Sequence, residues 1–223
     1  MRQLQESSNR CPLCRSTPGE WHARIGASRY FHCPVCELVW RDPRQRLDAD
    51  AERAYYGTHE NDPSDPGYRR FLDRLATPLM AMLPPGAQGL DYGCGPGPAL
   101  AAMLEERGFP TALFDPHFAP GTEALGRRYD FITCTETAEH FFSPADEFER
   151  LDGMLRPGGW LGVMTEFRQP ARPFSSWHYL RDPTHVCFYN ENTMRWLARR
   201  HGWSVEVPRA NVALFRKGRT DNP

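Results

Sequence analysis

Lysine is almost missing from this chain: of 27 basic residues only Lys217 is a lysine. So lopsided a choice between two cations reads as genome-wide codon usage rather than selection for phosphate binding. No apolar run approaches the roughly 18 residues that a membrane-spanning helix requires, so no membrane association is expected. No secretory signal precedes Cys11, since the first ten residues are polar, and the expected compartment is the cytoplasm. Net charge is lacking too. A formal value of −1 offers no global attraction for nucleic acid, although residues 1–47 carry eight Arg against four Asp and Glu. Internal repeats and low-complexity segments are absent. What remains is an ordinary globular composition, 40% hydrophobic and 25% charged, and 223 residues suffice for one domain with a real core plus a smaller attachment.

The seven cysteines are distributed unevenly. Cys11-Pro12-Leu13-Cys14 and Cys33-Pro34-Val35-Cys36 form two C-x2-C pairs separated by 18 residues, and the other three are scattered. In a reducing compartment this argues for metal rather than disulfides. The spacing matches a four-thiolate zinc site, in which two knuckles complete a tetrahedron with no open position, so the zinc is structural. Trp21–Arg24 and Arg29–His32 read as two small strands between the knuckles, giving a zinc ribbon. His22 and His32 are expected to be exposed strand residues, since four cysteines suffice.

Leu90-Asp91-Tyr92-Gly93-Cys94-Gly95-Pro96-Gly97-Pro98-Ala99-Leu100 reads as a strand running into a glycine turn that opens a helix. Glycines at alternate positions let the backbone touch its ligand, and Pro96 and Pro98 suit a first helical turn. A phosphate loop would add Lys and Ser/Thr, and a dinucleotide fold would use G-x-G-x-x-G; neither is present. Instead Asp91 stands at the strand end, where a carboxylate suits an ammonium group better than a pyrophosphate. The expected ligand is zwitterionic.

Read in order, Asp91-Tyr92-Gly93-Cys94-Gly95-Pro96-Gly97, Phe114-Asp115, Tyr129-Asp130 to Phe141, and Leu155-Arg156-Pro157-Gly158-Gly159-Trp160 resemble the motifs of class I S-adenosylmethionine-dependent methyltransferases, over roughly Tyr68 to Lys217. The resemblance implies S-adenosylmethionine as cofactor and an α/β, doubly wound Rossmann-like sheet with an antiparallel last strand. It implies cofactor contacts at Asp91, Gly93, Gly95, Gly97, Asp115 and Glu136, with Asp115 at a strand's carboxyl end, where it can accept hydrogen bonds from ribose hydroxyls. The chain departs from the family after Asp115. Only 13 residues precede Tyr129, too few for a helix, a strand and their connections, so the third-strand region is expected to be abridged. The adenine contact of that region has no counterpart to carry over.

The expected organisation is a zinc ribbon over 1–46, a cofactor-covering linker over 47–66 and the methyltransferase domain over 67–219, with a lid at 167–190. In the linker Tyr55, Tyr56, His59 and Asn61 stand out. Residues 67–83 show helical periodicity, Ser143-Pro144 reads as the start of the next helix, Trp160–Thr165 as the fifth strand, and Ser204–Val207 with Val212–Arg216 as a closing antiparallel hairpin. Phe167–Asn190 is rich in Pro and aromatics without a steady period, as binding loops are.

Methyl transfer needs a base only where the acceptor must lose a proton, and His140, His178, His185, Glu136, Glu139 and Glu166 are candidates. His140 and His185 are the preferred catalytic pair, titrating near neutrality at the sheet's carboxyl edge. No three-ligand metal spacing is visible outside the cysteine pairs, which disfavours magnesium-assisted transfer. Three readings compete: a small-molecule methyltransferase, favoured by the aromatic loop and the lack of basic charge; an RNA methyltransferase held on its substrate by the ribbon; and a non-enzymatic cofactor-binding or docking protein. The sequence does not address oligomeric state. Asp115→Ala is expected to weaken cofactor binding without unfolding the domain, measured by calorimetry beside a thermal melt; unchanged affinity would displace the ribose from this residue.

Overall fold

The computed structural model describes residues 9–16, 18–57 and 62–219; His59 and Asn61 of the linker lie outside them. Among the described residues the fold contains two hydrogen-bonded sheets. The smaller begins with an antiparallel hairpin, β1 (Glu20–Ile25) and β2 (Ser28–His32), and continues into β3 (Val39–Arg41). The two cysteine knuckles flank this hairpin and have the same geometry. In each, the residue after the second cysteine is left-handed, Arg15 at φ 57° and Glu37 at φ 59°. Its N–H returns to the carbonyl of the first cysteine, at 3.1 Å for Arg15 and 2.9 Å for Glu37.

Helix α1 (Ala49–Tyr56) follows, its N-terminus capped by the Asp48 carboxylate on the Ala51 N–H. Helix α2 (Pro66–Met80) is capped by Asp65, opens with proline, and buries Leu72, Leu75, Ala76 and Leu79 on one face. It contains Pro78 and stops three residues short of the expected end.

The larger sheet is built from β4 (Gly89–Tyr92), β5 (Thr111–Phe114), β6 (Tyr129–Thr135) and β7 (Leu155–Met164), with α3 (Ala99–Glu105) between β4 and β5 and α4 (Pro144–Met154) between β6 and β7. The short β8 (Cys187–Phe188), α5 (Glu191–His201), β9 (Ser204–Arg209) and β10 (Val212–Arg216) complete the chain. Strand order is β5-β4-β6-β7-β10-β9, the first four parallel and β10 antiparallel to both of its neighbours. This is the Rossmann-like sheet with an antiparallel last strand that the motifs imply. Between β5 and β6 the chain makes one short 3-10 turn, Thr122–Gly126, leaving β5 at the edge, so the third-strand region is abridged as the spacing requires.

Two local expectations change. Strand β7 starts at Leu155, not Trp160, because Leu155 pairs with Tyr129 and a register shift then absorbs the Pro-Gly-Gly stretch before Trp160 meets Phe131. Ser143 sits at the α4 N-cap, but its hydroxyl makes no capping bond. Among the described residues no helix is long and apolar enough to cross a membrane.

The two sheets are joined through the loop after β7. Its strand β8 pairs with β3 through Val39↔Phe188 and Trp40↔Cys187, giving the ribbon sheet its fourth strand. Glu37 of the second knuckle accepts hydrogen bonds from Asn190 Nδ2 at 3.0 Å and Asn192 Nδ2 at 2.9 Å, at the start of α5. Trp40 is fully buried in an apolar cluster that runs from Cys11 and Phe31 through to Phe148 and Tyr189. Trp40→Ala is therefore expected to lower stability by about 3–5 kcal/mol in urea unfolding; a loss under about 1 kcal/mol would mean that ribbon and sheet fold independently.

Candidate functional site

At the end of β4 the backbone turns through Gly93 at φ 80° and Gly95 at φ 64°. The Gly93 N–H donates to Phe114 O at 2.7 Å, and the Thr137 hydroxyl packs so close that a Cβ on Gly93 would sit 2.3 Å from it. The turn is thus wedged between the tips of β5 and β6, and glycine alone meets both the dihedral and the clearance.

Two buried carboxylates flank the turn. Asp91, 4% exposed, accepts from Thr133 Oγ1 at 2.7 Å. Burial pushes its pKa up to about 6, with the Thr133 bond opposing and the Asp115 charge adding. Asp115 accepts from the Gly95 N–H at 3.0 Å through Oδ2, and from His117 and Phe118 N–H at 2.8 and 3.0 Å through Oδ1. Oδ2 keeps a lone pair for a further donor.

These residues line one cavity of about 550 Å³. Asp91, Gly93, Gly95, Gly97, Asp115, Glu136, His140 and His185, all singled out in the sequence, lie on its wall. So do Glu52 and Tyr56 of α1, and the Tyr56 ring meets His140 edge-on at 5.3 Å.

Beside this wall, Tyr179 organises the acidic groups. Its hydroxyl donates to Glu139 Oε1 in a short contact and lies 3.4 Å from Glu136 Oε2. One phenolic proton faces two carboxylates. Burial, reinforced by the Glu139 charge, raises the Glu136 pKa well above the usual carboxylate range, so Glu136 can hold the proton that relieves the crowding. Glu136 also has an unusual positive φ of 48° at the tip of β6. His185 reaches this point from the loop, its backbone held because the Val186 N–H donates to Glu139 O at 2.9 Å. Burial lowers the His185 pKa and favours the neutral ring.

Other expectations separate from the cavity. Glu166 and His178 pair with each other at 3.0 Å, and Trp177 Nε1 donates to Glu166 at 2.6 Å; none of the three lies on the cavity wall. The loop contributes Asp182 and His185 to that wall, while Phe174 and Phe188 pack edge-on against Tyr30 of the ribbon at 5.1 and 5.7 Å. His22 is half-buried, not exposed, against Phe174 at 4.8 Å. Sequence reading missed the convergence of Glu139, His140 and His185, whose ligand atoms lie within 4.8 Å of one another. The signal available was the adjacent Glu139-His140 pair at a strand tip; its third member comes from a distant loop.

In the ribbon, Cys11 Sγ lies 3.5 Å from Cys36 Sγ and Cys14 Sγ 3.4 Å from Cys33 Sγ, with all four sulfurs within 4.8 Å. Four thiolates about 2.3 Å from one ion are about 3.8 Å apart, so the arrangement is compatible with a zinc ribbon. The ribbon arginines are largely engaged: Arg15 with Asp146, Arg29 and Arg44 with Asp42, Arg41 with Pro183 O, and Arg46 with Phe142 O.

A family model described as "Methyltransferase domain" matches residues 63–206. A ubiquinone biosynthesis O-methyltransferase of Leptothrix cholodnii is 31% identical over 109 residues, a match covering 38% of this chain and 46% of that protein. The match thus spans about half the length of that curated relative. A solved 1,6-didemethyltoxoflavin-N1-methyltransferase of Burkholderia thailandensis, holding 1,6-didemethyltoxoflavin and S-adenosylhomocysteine, is similar with a TM-score of 0.56 and 17% identity, covering 89% of this chain and 99% of that one. At that identity the likeness concerns the fold.

Gly93→Ala combines a strained φ with a clash against Thr137 and is expected to cost about 1–3 kcal/mol in chemical unfolding, with a loss of affinity for whatever ligand the turn receives. Unchanged stability would show that the turn relaxes freely.

Proposed function

Because the chain belongs to the class I S-adenosylmethionine-dependent methyltransferase family, we propose that it transfers the methyl group of S-adenosylmethionine to a hydroxyl of a small-molecule acceptor. The observation that carries this reading is the gathering of the glycine turn, Asp91, Asp115, Glu136, His140 and His185 around one cavity. Its volume of about 550 Å³ falls in the range of about 300–1,000 Å³ usual for small-ligand sites. The engaged ribbon arginines favour a small molecule over RNA. A hydroxyl is chosen because the curated relative is named an O-methyltransferase and because the cavity wall is rich in proton-accepting groups.

In this reading Gly93, Gly95 and Gly97 admit the cofactor to the backbone, Asp91 faces its ammonium group and Asp115 Oδ2 takes a ribose hydroxyl. Glu136 lies near the methyl group, and His140 and His185 receive the acceptor. The sulfonium already activates the methyl, so the protein's main task is alignment, worth about 7–11 kcal/mol in favourable cases. The acceptor oxygen bonds to the methyl carbon, the carbon–sulfur bond breaks with its electron pair left on sulfur, and the hydroxyl proton passes to His140 or His185 and from there to solvent. Helix α1 of the linker, through Glu52 and Tyr56, and the loop 167–190, through Asp182 and His185, serve as covers of the cavity. Cys11, Cys14, Cys33 and Cys36 hold a structural zinc, which supplies no open coordination position and acts by fixing the ribbon.

Calorimetry with S-adenosylhomocysteine on zinc-loaded protein tests the cofactor site; an absence of heat would sink the reading. A labelled methyl donor incubated with cell metabolites should mark a small molecule, whereas label in RNA would reassign the acceptor. The pH dependence is specific. The Asp91 pKa is raised from 3.8 to about 6, so the ligand-free fold gains most from this group below its unfolded value and loses that contribution as pH rises through about 6. Ammonium binding needs the ionised form. Cofactor-product affinity should therefore fall as pH drops below about 6, approaching tenfold per unit; a flat profile would remove Asp91 from the ammonium.

A further inference from the structure

Arg41 ends β3 in the ribbon, outside the larger sheet, and is only 5% exposed. A guanidinium cannot shed its charge, so burying one is costly unless acceptors surround it. The neighbouring carboxylate, Asp42, is engaged by Arg29 and Arg44 at 2.7 and 2.9 Å, and among the described residues Arg41 makes no ion pair. Its donors are directed at the loop after β7 instead. Nη1 donates to Pro183 O in a short contact, and Nη2 lies 3.5 Å from Asp182 O and 3.3 Å from the Tyr30 hydroxyl. The Arg41 backbone N–H donates to Val186 O at 2.9 Å. One ribbon residue thus holds the carbonyls of residues 182, 183 and 186.

Those carbonyls belong to a turn with its own internal support. Asp182 Oδ1 accepts from the Thr184 N–H at 2.8 Å and from the Thr184 hydroxyl, the His185 N–H faces Asp182 O at 3.4 Å, and proline fixes φ at position 183. The turn is therefore a unit, and it carries two members of the cavity wall, Asp182 and His185. Its internal bonds do not say where it sits. That is decided by contacts from outside: the Val186 N–H on Glu139 O, His140 Nδ1 with Thr184 O at 3.3 Å, and Arg41. The His185 ring depends on this placement, because its Nδ1 lies 2.7 Å from Tyr179 O. A carbonyl only accepts, so Nδ1 carries the hydrogen and Nε2 is the basic nitrogen.

We infer that Arg41 is a positioning residue of the acceptor site: from the ribbon, it sets the orientation and the tautomer of His185 by gripping the carbonyls on either side of that residue. The inference rests on the methyltransferase reading, in which His185 receives the acceptor and its proton, and deepens it by giving the ribbon a defined part in the chemistry. Arg41 does not line the cavity, so it acts only through the turn. Misplacement by about 1 Å is enough to impair a reaction that depends on alignment. Arginine suits the task because its planar fork reaches two carbonyls in one fixed geometry, which a lysine ammonium on a flexible stem does not.

The groups facing the His185 ring are Glu139, Asp182, His140 and Tyr179. Burial is the largest influence on the ring and lowers its pKa, with Glu139 and Asp182 opposing. Released into solvent, the ring returns upward toward 6.5 and loses its fixed tautomer. The test is nitrogen-15 NMR of the histidine rings across a pH titration of the zinc-loaded chain, with His185→Gln identifying the resonance. Arg41→Met keeps a buried stem and removes the guanidinium donors; Arg41→Lys keeps the charge and reports where Arg41→Met fails to fold. In either folded variant the His185 midpoint is expected to move upward with mixed Nδ1–H and Nε2–H signals, and the Val186 amide to exchange about tenfold faster or more. Zinc content and affinity for S-adenosylhomocysteine are expected to stay at the wild-type level. A ring that keeps its midpoint and tautomer in a folded variant would overturn the proposal. So would a parallel loss of S-adenosylhomocysteine affinity, which would make Arg41 a support of the whole fold. The ring is read without acceptor or cofactor, so a negative result there leaves the cofactor site standing, whereas wild-type protein that gives no heat with S-adenosylhomocysteine removes the methyltransferase reading itself.

Discussion

Val186 is hydrogen-bonded through both of its backbone polar groups. Its N–H donates to Glu139 O at 2.9 Å, and its carbonyl accepts from the Arg41 N–H at 2.9 Å. This single residue stitches the ribbon to the tip of β6, and the placement of His185 beside Glu139 depends on it. The ladder continues into β8, whose two residues pair with Val39 and Trp40. Backbone bonds of this kind are modest one by one but expensive to leave unmade inside a protein. The ribbon therefore acts on the cavity from outside it, by holding one edge of the loop that carries His185.

Electrostatics give the cavity its second character. Its wall carries seven carboxylates and one guanidinium, Arg150. Several of these carboxylates are buried, and burial raises the pKa of Asp91, Glu136 and Glu139. Such a wall destabilises itself in the absence of a cation. A cationic ligand in the cavity would offset that cost, so ligand binding and relief of self-repulsion would be the same event. The glycine turn and the Tyr179 cluster are complementary devices: the first removes side chains so that backbone can approach, and the second concentrates charge where a reacting oxygen would be held.

The abridged sheet edge shapes the cavity beside Asp115. With no strand beyond β5, the chain after Asp115 folds back at once, the peptides of Asp115 and Ala119 exchanging hydrogen bonds at 3.0 Å. His117 and Phe118 consequently sit on the cavity wall where a longer family member would continue its sheet. The Asp115 carboxylate organises this turn through two backbone N–H groups while keeping one oxygen toward the glycine turn.

Much of this was legible along the chain, because it depends on spacing. The cysteine pairs, the alternate glycines after Asp91, the carboxylate ending β5, the helical stripe of α2 and the short interval before Tyr129 all express constraints between residues a few positions apart, and apart from the last turn of α2 each appears in the structure where the pattern put it. The sequence by itself determined the order of elements in the larger sheet, the glycine-turn wall and the thiolate cluster. Only the tertiary structure decided that Phe174 and Phe188 serve the ribbon instead of the cavity, that Glu166 and His178 pair off together, and that Glu139 meets His185. Those outcomes depend on which surfaces of a period-less loop find apolar cover and hydrogen-bond partners, and such partners are distant in sequence, so no local pattern could announce them.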